Sequence, residues 1–445
     1  MGAEMQESGG GVGLDALLRS RKLSPGPGLG AREVAAHQLA RIYEATTQIV
    51  AERGYRALKV RDVVARAEVS TRAFYEHFGG KEDCFLQAYD LISRRATRRI
   101  VAAQAGEPDW RRRPFLAFEE FLRELEREPA AAHLALIEAY GAGEAALACA
   151  WRAERSFEGM LAEALARSPR GVAVPPLIVQ GMVAGVATVS KNCLLAGKVA
   201  DLANNGGELV EWAMSYPDKA AARLSDLDGR SVWRDTTLQS LDGVAGEVGE
   251  RWPSSGDRAL ILAAVAELAA AKGYAGLTAA RIRSKATVSR RKFEAHFDGV
   301  EDCYLAALEQ RAAQAMARAA RARTAAADPY GGIYRAIAAL CNHIAADPFL
   351  ARVCLTDEFP PCPDGARSRQ RLIGAVLELI ADDAIQANRL AAEASAGALW
   401  SLFYHHVARE RARRDRISAT LAYLILAPAI GPAAAVSAIE REQSP

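Results

Sequence analysis

The chain repeats itself. Gly54-Tyr55 recurs as Gly273-Tyr274, and the same offset of 219 residues aligns the next thirty or so positions without a gap. Val69-Ser70 corresponds to Val288-Ser289, Arg72 to Arg291, Phe74 to Phe293, His77-Phe78 to His296-Phe297, and Glu82-Asp83-Cys84 to Glu301-Asp302-Cys303. Sixteen of the thirty-five pairs from Gly54 to Ala88 are identical. The segment is a tandem duplication, so whatever local fold one copy adopts the other should share.

Each copy reads as a succession of helices. Ile42, Ala45, Ile49 and Val50 fall on one face at three-and-four spacing, which predicts an amphipathic helix from about Gln38 to Arg53. Gly54 ends it, since glycine accepts a left-handed backbone at little steric cost. A short helix from Val60 to about Ala67 comes next, then a tight turn at Glu68-Val69 and a third helix through Phe78, with Ser70 as its N-cap. Gly79-Gly80 interrupt the chain, and a long helix starts near Lys81. In the second copy Thr278 caps the short helix and Gly299 supplies the later break. Two short helices joined by a four-residue turn are the helix-turn-helix layout, whose second helix enters the major groove of DNA. Thr71–His77 and Arg290–His296 are therefore the expected recognition helices.

Charge agrees. Residues 31–100 hold thirteen Lys/Arg against nine Asp/Glu, and residues 257–325 hold twelve against seven; with a total of +2, the rest of the chain carries −7. Two basic segments in an acidic body suit a polyanionic partner, here double-stranded DNA. The alanine excess, the 7% aromatic share and the scarcity of alternating β-branched runs predict an all-α protein.

The run Gly54-Tyr55, Val60-Arg61-Asp62-Val63, Val69-Ser70, Phe74-Tyr75-Glu76-His77-Phe78 and Lys81-Glu82 resembles the DNA-binding head of the TetR/AcrR family of regulators. The likeness spans about fifty residues in each copy. It implies two tandem TetR-like units, each an N-terminal helix-turn-helix three-helix head followed by a helical effector and dimerisation body. The expected boundaries are a flexible tail at 1–30, unit 1 at 31–217 (head 38–85, body 86–217), a linker at 218–255, and unit 2 at 256–445 (head 257–304, body 305–445).

The resemblance also assigns DNA-facing residues. Lys59 and Arg61 start the short helix, where phosphate can be met, and Thr71 and Arg72 start the recognition helix, where base edges are read. Tyr75 and His77 match the family's aromatic and histidine positions beside the backbone, and Lys81 its phosphate-binding lysine. Arg72 departs from a usual small residue, and Glu68 replaces a common glycine in the turn. The second copy departs further. Glu294 stands at the tyrosine position and Val300 at the lysine position, while Arg290, Arg291 and Lys292 make its recognition helix more basic. Thr278, Arg290, Arg291, Lys292 and His296 are its candidate DNA contacts. His77 and His296 could equally be structural hydrogen-bonding residues.

The bodies carry the rest of the expectations. Residues 111–127, 129–141, 143–167, 176–198 and 207–215 read as helices in the first, and 387–412 and 416–427 as a closing pair in the second. In the resembled family the last two helices form the dimer face, so fusion of two units implies an intrachain pseudo-dimer, with a homodimer of chains as the alternative. Residues 417–439 hold no charge, but Pro428, Gly431 and Pro432 cut them, predicting an interface helix and a proline-broken tail rather than a membrane span. Arg94-Arg95, Arg98-Arg99, Arg318, Arg321 and Arg323 read as solvated.

Seven cysteines without a CxxC point to reduced thiols in a cytoplasm, with Cys84 and Cys303 as core residues. Cys341, His343, Cys354, Cys362, His405 and His406 match no zinc spacing, so neither metal nor cofactor is expected. No phosphate loop or nucleophile elbow is present, and no enzyme is expected. The predicted function is a sequence-specific DNA-binding regulator, a repressor released by a small hydrophobic ligand bound in the helical body. The alternative is a ligand-binding or protein-interaction module in which the second head, or both, has lost DNA binding.

Overall fold

The computed structural model describes residues 31–168, 174–230, 256–356, 363–381, 388–402 and 417–443, and among these the regular structure is all helix. The chain divides into two compact units, Met1–Phe157 with Ser190–Gly206, and Glu158–Val189 with Gly207–Pro445. This partition differs from a division at the repeat boundary. The helices that close the first copy's body contribute to the same compact unit as the second copy.

In the first unit, α1 (Ala31–Ala57), α2 (Val60–Ala67), α3 (Thr71–His77) and α4 (Lys81–Ala103) follow the order read from the sequence. Helicity in α1 fails at Gly54 (φ 77, ψ 160), the residue expected to end it. The break frees the Tyr55 N–H, which donates to Glu138 Oε2 at 2.8 Å. A side chain at Gly54 would bring its Cβ to 3.3 Å from that same carboxylate, so glycine is needed for both the dihedral and the close approach.

Beyond α4 come α5 (Arg112–Arg127), α6 (Pro129–Leu136), a 3₁₀ turn at Glu138–Tyr140 that positions Glu138, and α7 (Glu144–Ala166). Ile42, Ile49, Val50, Phe74, Phe78 and Phe85 form a core that continues into Leu134, Ala139 and Ala146 of the following helices. Cys84 lies in it, with its Sγ 3.2 Å from Thr46 Oγ1; burial pushes the thiol up to about 12. Two arginines depart from the solvated reading. Arg95 is buried against Glu128, and Arg99 reaches Glu124 at 2.9 Å. The carboxylates sit on α5 and at its C-terminus, so α4 is clamped to its neighbour by charge as well as by apolar contact.

α8 (Pro176–Leu195) and α9 (Val199–Met214) come next, then a 3₁₀ turn at Lys219–Arg223 and α10 (Leu224–Arg230). Residues 218–230, expected as the start of the linker, are thus ordered helix. Val232 and Trp233 lie outside the described residues. The second copy supplies α11 (Asp257–Lys272), α12 (Ala279–Ala286), α13 (Arg290–Glu294), α14 (Val300–Thr324), α15 (Pro329–Ala346), α16 (Pro348–Thr356), α17 (Pro363–Leu379), α18 (Arg389–Leu402), α19 (Ser418–Ile430) and α20 (Pro432–Gln443).

Within the second unit, residues from 176–189 and 207–228 pack directly on α18 and α19. Trp212 Nε1 donates to Ser395 Oγ at 3.0 Å, Tyr216 OH to the Leu424 carbonyl at 2.8 Å, and Tyr423 OH back to the Tyr216 carbonyl at 2.8 Å. The contact is too close for larger side chains. A Cβ on Gly185 would lie 2.4 Å from the Trp212 ring and 2.6 Å from the Ala394 carbonyl, and one on Gly397 would meet Thr188 at 2.4 Å. α8 is the one helix among the described residues long and apolar enough to cross a membrane by length and composition, with 20 residues and mean hydropathy 1.3. Its glycines are instead notches for neighbouring helices.

Asp228 anchors α10 to the start of α19. Its buried carboxylate accepts from the Ala419 and Thr420 N–H groups, the former at 2.8 Å, and from the Thr420 hydroxyl. These are the orphan donors of a helix N-terminus, where negative charge is favoured. Burial nevertheless dominates and pushes the carboxyl up to about 7.

The expected proline-broken tail proves to be helical. Gly431 (φ 84) ends α19, and Pro432 occupies the first position of α20, where its missing N–H costs nothing. Val436 and Ile439 are buried, Glu442 pairs with Arg335, and Gln443 donates to Tyr334 OH at 2.8 Å. Arg323, also read as solvated, donates to the Leu379 and Ala381 carbonyls at 2.7 and 2.6 Å, covering the C-terminal end of α17. Arg321 keeps a buried Nε.

Candidate nucleic-acid interface

α2 and α3 are set by local signals. Ser70 has extended backbone and its hydroxyl accepts from the Ala73 N–H at 3.0 Å, so the third helix begins where its cap places it. The turn between the helices forces Glu68 into the left-handed region (φ 46). Its counterpart Thr287 is there too (φ 57), and Ser289 caps α13 by accepting from the Lys292 N–H at 3.3 Å. Thr278 caps α12, as expected, accepting from the Arg281 N–H at 3.2 Å. Both turns therefore hold a residue with a Cβ where glycine would be unstrained, at a cost of about 1 kcal/mol or more.

The apolar side of each third helix is committed to the core. Phe74 and Phe293 are buried, as are Phe78 and Phe297. In the first copy Lys59, at the N-cap of α2, and Arg61, Thr71, Arg72 and Tyr75 are exposed. Tyr75 shows 57% of its surface, one of few large hydrophobics so displayed. His77 ends α3 half-buried, its ring 6.2 Å from that of Phe78. Lys81 opens α4, with its ammonium 4.8 Å from the Tyr55 ring centroid. That contact fixes the lysine without neutralising it.

In the second copy Arg290, Arg291 and Lys292 are exposed on α13. α13 ends at Glu294, leaving His296, exposed, outside the helix expected to contain it. Thr278 spends its hydroxyl oxygen on the cap. No aromatic side chain stands at the Tyr75 position and no ammonium at the Lys81 position, because Glu294 and Val300 occupy them.

Intramolecular carboxylates hold the guanidinium groups, a feature absent from the sequence-based expectations. Arg72 Nε lies 3.0 Å from Glu76, and Arg290 Nε 2.6 Å from Glu294, both four residues apart on one helix. Lys292 reaches Asp257 at 3.0 Å, and Arg61 reaches Asp62 at 3.3 Å. The first two were detectable from i,i+4 spacing alone. Exposed pairs of this kind contribute little to stability, so a phosphate or base edge can displace the carboxylate at little expense. Among the described residues no group of His, Cys, Asp and Glu could hold a metal ion, and His405, His406 and Cys362 lie outside them.

A short cap-bounded helix with a buried aromatic side and an exposed basic side, set after a second short helix across a tight turn, is the helix-turn-helix arrangement. Residues 42–88 match the family described as Bacterial regulatory proteins, tetR family. That match covers the first head alone. No curated protein matches it in sequence. Among solved structures it is similar to the fatty acid degradation regulator FadR from Bacillus halodurans (16% identity, 39% of this chain and 94% of that one, TM-score 0.36). It is also similar to the transcriptional regulator FadR from Bacillus subtilis, solved in complex with stearoyl-CoA (14%, 39% and 96%, TM-score 0.36). A TetR-like transcriptional regulator from Rhodococcus sp. RHA1 shows a comparable likeness (18%, 40% and 97%, TM-score 0.35).

Proposed function

We propose that the chain is a ligand-responsive, sequence-specific repressor in which two TetR-like units pair within one polypeptide and present two unequal heads to DNA in the cytoplasm. The observation that carries the DNA reading is the exposed set Lys59, Arg61, Thr71, Arg72 and Tyr75, with the half-buried Lys81 beside it, around a capped α3 whose other side is buried. Lys59, Arg61, Tyr75, His77 and Lys81 would meet phosphate, and Thr71 and Arg72 base edges. In the second head Arg290, Arg291 and Lys292 would supply the attraction, with Thr278 and His296 at its margins. Unequal recognition helices favour an operator whose half-sites differ.

Intrachain pairing is supported by the contacts of Trp212 and Tyr216 with Ser395 and Leu424, which join the closing helices of both copies. A hydrophobic effector is supported by a small cavity of about 50 Å³ among α14, α15, α17 and α18, walled by Leu308, Met316, Leu340, Val376, Leu399 and Trp400. Its lining is apolar, and a ligand would enter by spreading these helices.

A gel shift on the DNA upstream of the protein's own gene tests the first claim. Retardation should be strong at low salt and fall steeply as salt rises, because phosphate contacts release counterions. No retardation at low salt would sink it. Light scattering of free protein tests pairing: the expected mass is that of one 47.7 kDa chain, and twice that mass would favour a homodimer of chains.

A further inference from the structure

Each copy carries one arginine–glutamate pair on its third helix, but not at the same place. In α3 the pair is Arg72 with Glu76, 3.0 Å apart, and in α13 it is Arg290 with Glu294, 2.6 Å apart. The repeat aligns Arg72 with Arg291 rather than with Arg290, so the second pair stands one residue earlier. One residue along a helix is a rotation of about 100°. The pairs therefore point in different directions relative to the buried aromatic that seats each helix, Phe74 in one copy and Phe293 in the other.

Arg72 and Glu76 lie two residues before and two after Phe74, each about 160° round the helix from it, so the pair straddles the direction opposite the core. Arg290 and Glu294 lie three before and one after Phe293, at about 60° and 100° on one side, and so form a flank. A helix seated in the major groove turns the side away from its own core to the base edges and its flanks to the phosphate walls. The first pair would thus face bases and the second phosphate. At the outward places the second copy has Arg291 and Ala295, the latter still in helical dihedrals (φ −73, ψ −18).

The bonding within the first pair suits it to read two bases together. Arg72 spends its Nε on Glu76 Oε1, which leaves the two terminal nitrogens for guanine O6 and N7. Glu76 has a second carboxylate oxygen, an acceptor for the N4 amino group of cytosine. A lone carboxylate in the groove would be repelled by the phosphates, and the guanidinium beside it cancels that charge. Both side chains are largely exposed, at 89% and 58%, so neither is committed to the core.

We propose, resting on the DNA reading above, that Glu76 is a specificity-determining residue of the first head, accepting from N4 of a cytosine beside the guanine read by Arg72. The second copy has a methyl group at this place, in Ala295, which suits the C5-methyl of thymine instead. The copies then differ at the centre of the outward side as well as at its margins.

Selection from a pool of randomised duplex DNA, with the full-length protein at low salt, tests the assignment. Wild type should enrich a motif that holds guanine with a neighbouring cytosine. Glu76→Ala gives the first head the methyl group of the second copy. It should lower the preference for that cytosine about tenfold and turn the position towards thymine. Glu76→Gln keeps the size of the side chain but adds a donor, and should move the same position to adenine. Should Glu76→Ala melt early, the near-isosteric Glu76→Gln decides. A motif unchanged in the folded variants overturns the proposal. So does a relaxed guanine with the cytosine retained, because Glu76 would then only position Arg72. A wild type that enriches no motif overturns the DNA reading and this assignment with it, whereas a wild type that binds and ignores both Glu76 variants overturns this assignment alone.

Discussion

The two copies of the repeat share their buried halves and differ in their exposed ones. Phe74, Phe78 and Cys84 have Phe293, Phe297 and Cys303 as counterparts, all buried, and both third helices start from a serine cap. On the outer side Tyr75 gives way to Glu294, Lys81 to Val300 and Thr71 to Arg290. Folding constrains the core positions in both copies, because each aromatic fills a site that nothing else can fill. The exposed positions answer only to what they touch, and there the copies have diverged.

The largest effects should come from the shared core. Phe74→Ala and Phe293→Ala should each cost about 3–5 kcal/mol in chemical denaturation, and a much smaller cost for Phe293 would break the claim that the two cores are equivalent. The exposed differences are testable by exchange. Lys81→Ala should weaken binding on every DNA sequence and lower the salt slope by about 0.9, and Val300→Lys should do the reverse if the second head touches phosphate. Gel shifts across a salt series read both. An unchanged slope with Val300→Lys would make the second head structural.

Acid separates the units through two carboxylates of opposite behaviour. Asp83 is held below its usual range by hydrogen bonds from Gln87 and the Gly79 N–H, so its contribution is lost as pH falls. Asp228, raised from 3.8 to about 7, keeps its proton in the folded state after the unfolded chain has released it. Its contribution is full below about pH 4 and is lost as pH rises through 7. Asp228→Asn should therefore flatten the decline of melting temperature between about pH 5 and pH 8. A decline as steep as in wild type would remove Asp228 as its source. The smallest effect concerns the turns. Thr287→Gly should stabilise by about 1 kcal/mol by relieving left-handed backbone strain. Glu68→Gly should gain slightly less, because it also gives up the exposed pair with Arg41 at 3.5 Å. Equal gains in thermal melts would show that this pair contributes nothing.

Features that announce themselves within a few residues were legible in the sequence. Ser70 and Thr278 as caps, the break at Gly54, the extent of α3 and the buried cysteines are all dictated by neighbours in the chain. Features that need a distant partner were not. Arg95, Arg99 and Arg323 look solvated until Glu128, Glu124 and the end of α17 are placed beside them. Residues 218–230 look like a connection until Asp228 is seen at the start of α19. Pro432 reads as a breaker or as a first helical residue according to the residues after it, and only the packing of Val436 and Ile439 decides. The exposure of Arg61, Thr71, Arg72 and Tyr75 followed from their places on α2 and α3, and the carboxylates that hold Arg72 and Arg290 stand at the i,i+4 spacing that their helices impose.

The notched contact of Gly185, Trp212 and Tyr216 with Ala394, Ser395 and Leu424 joins stretches of a single chain. An interface closed this way forms at an effective concentration fixed by the connection between its halves, on the order of millimolar for a short flexible one. Dilution cannot open it. A regulator assembled from separate subunits loses its DNA-competent form as copy number falls, and operator occupancy then scales with the square of concentration. Under the proposed intrachain pairing, occupancy would scale with the first power, so a few molecules per cell would respond as a proportionate fraction of many.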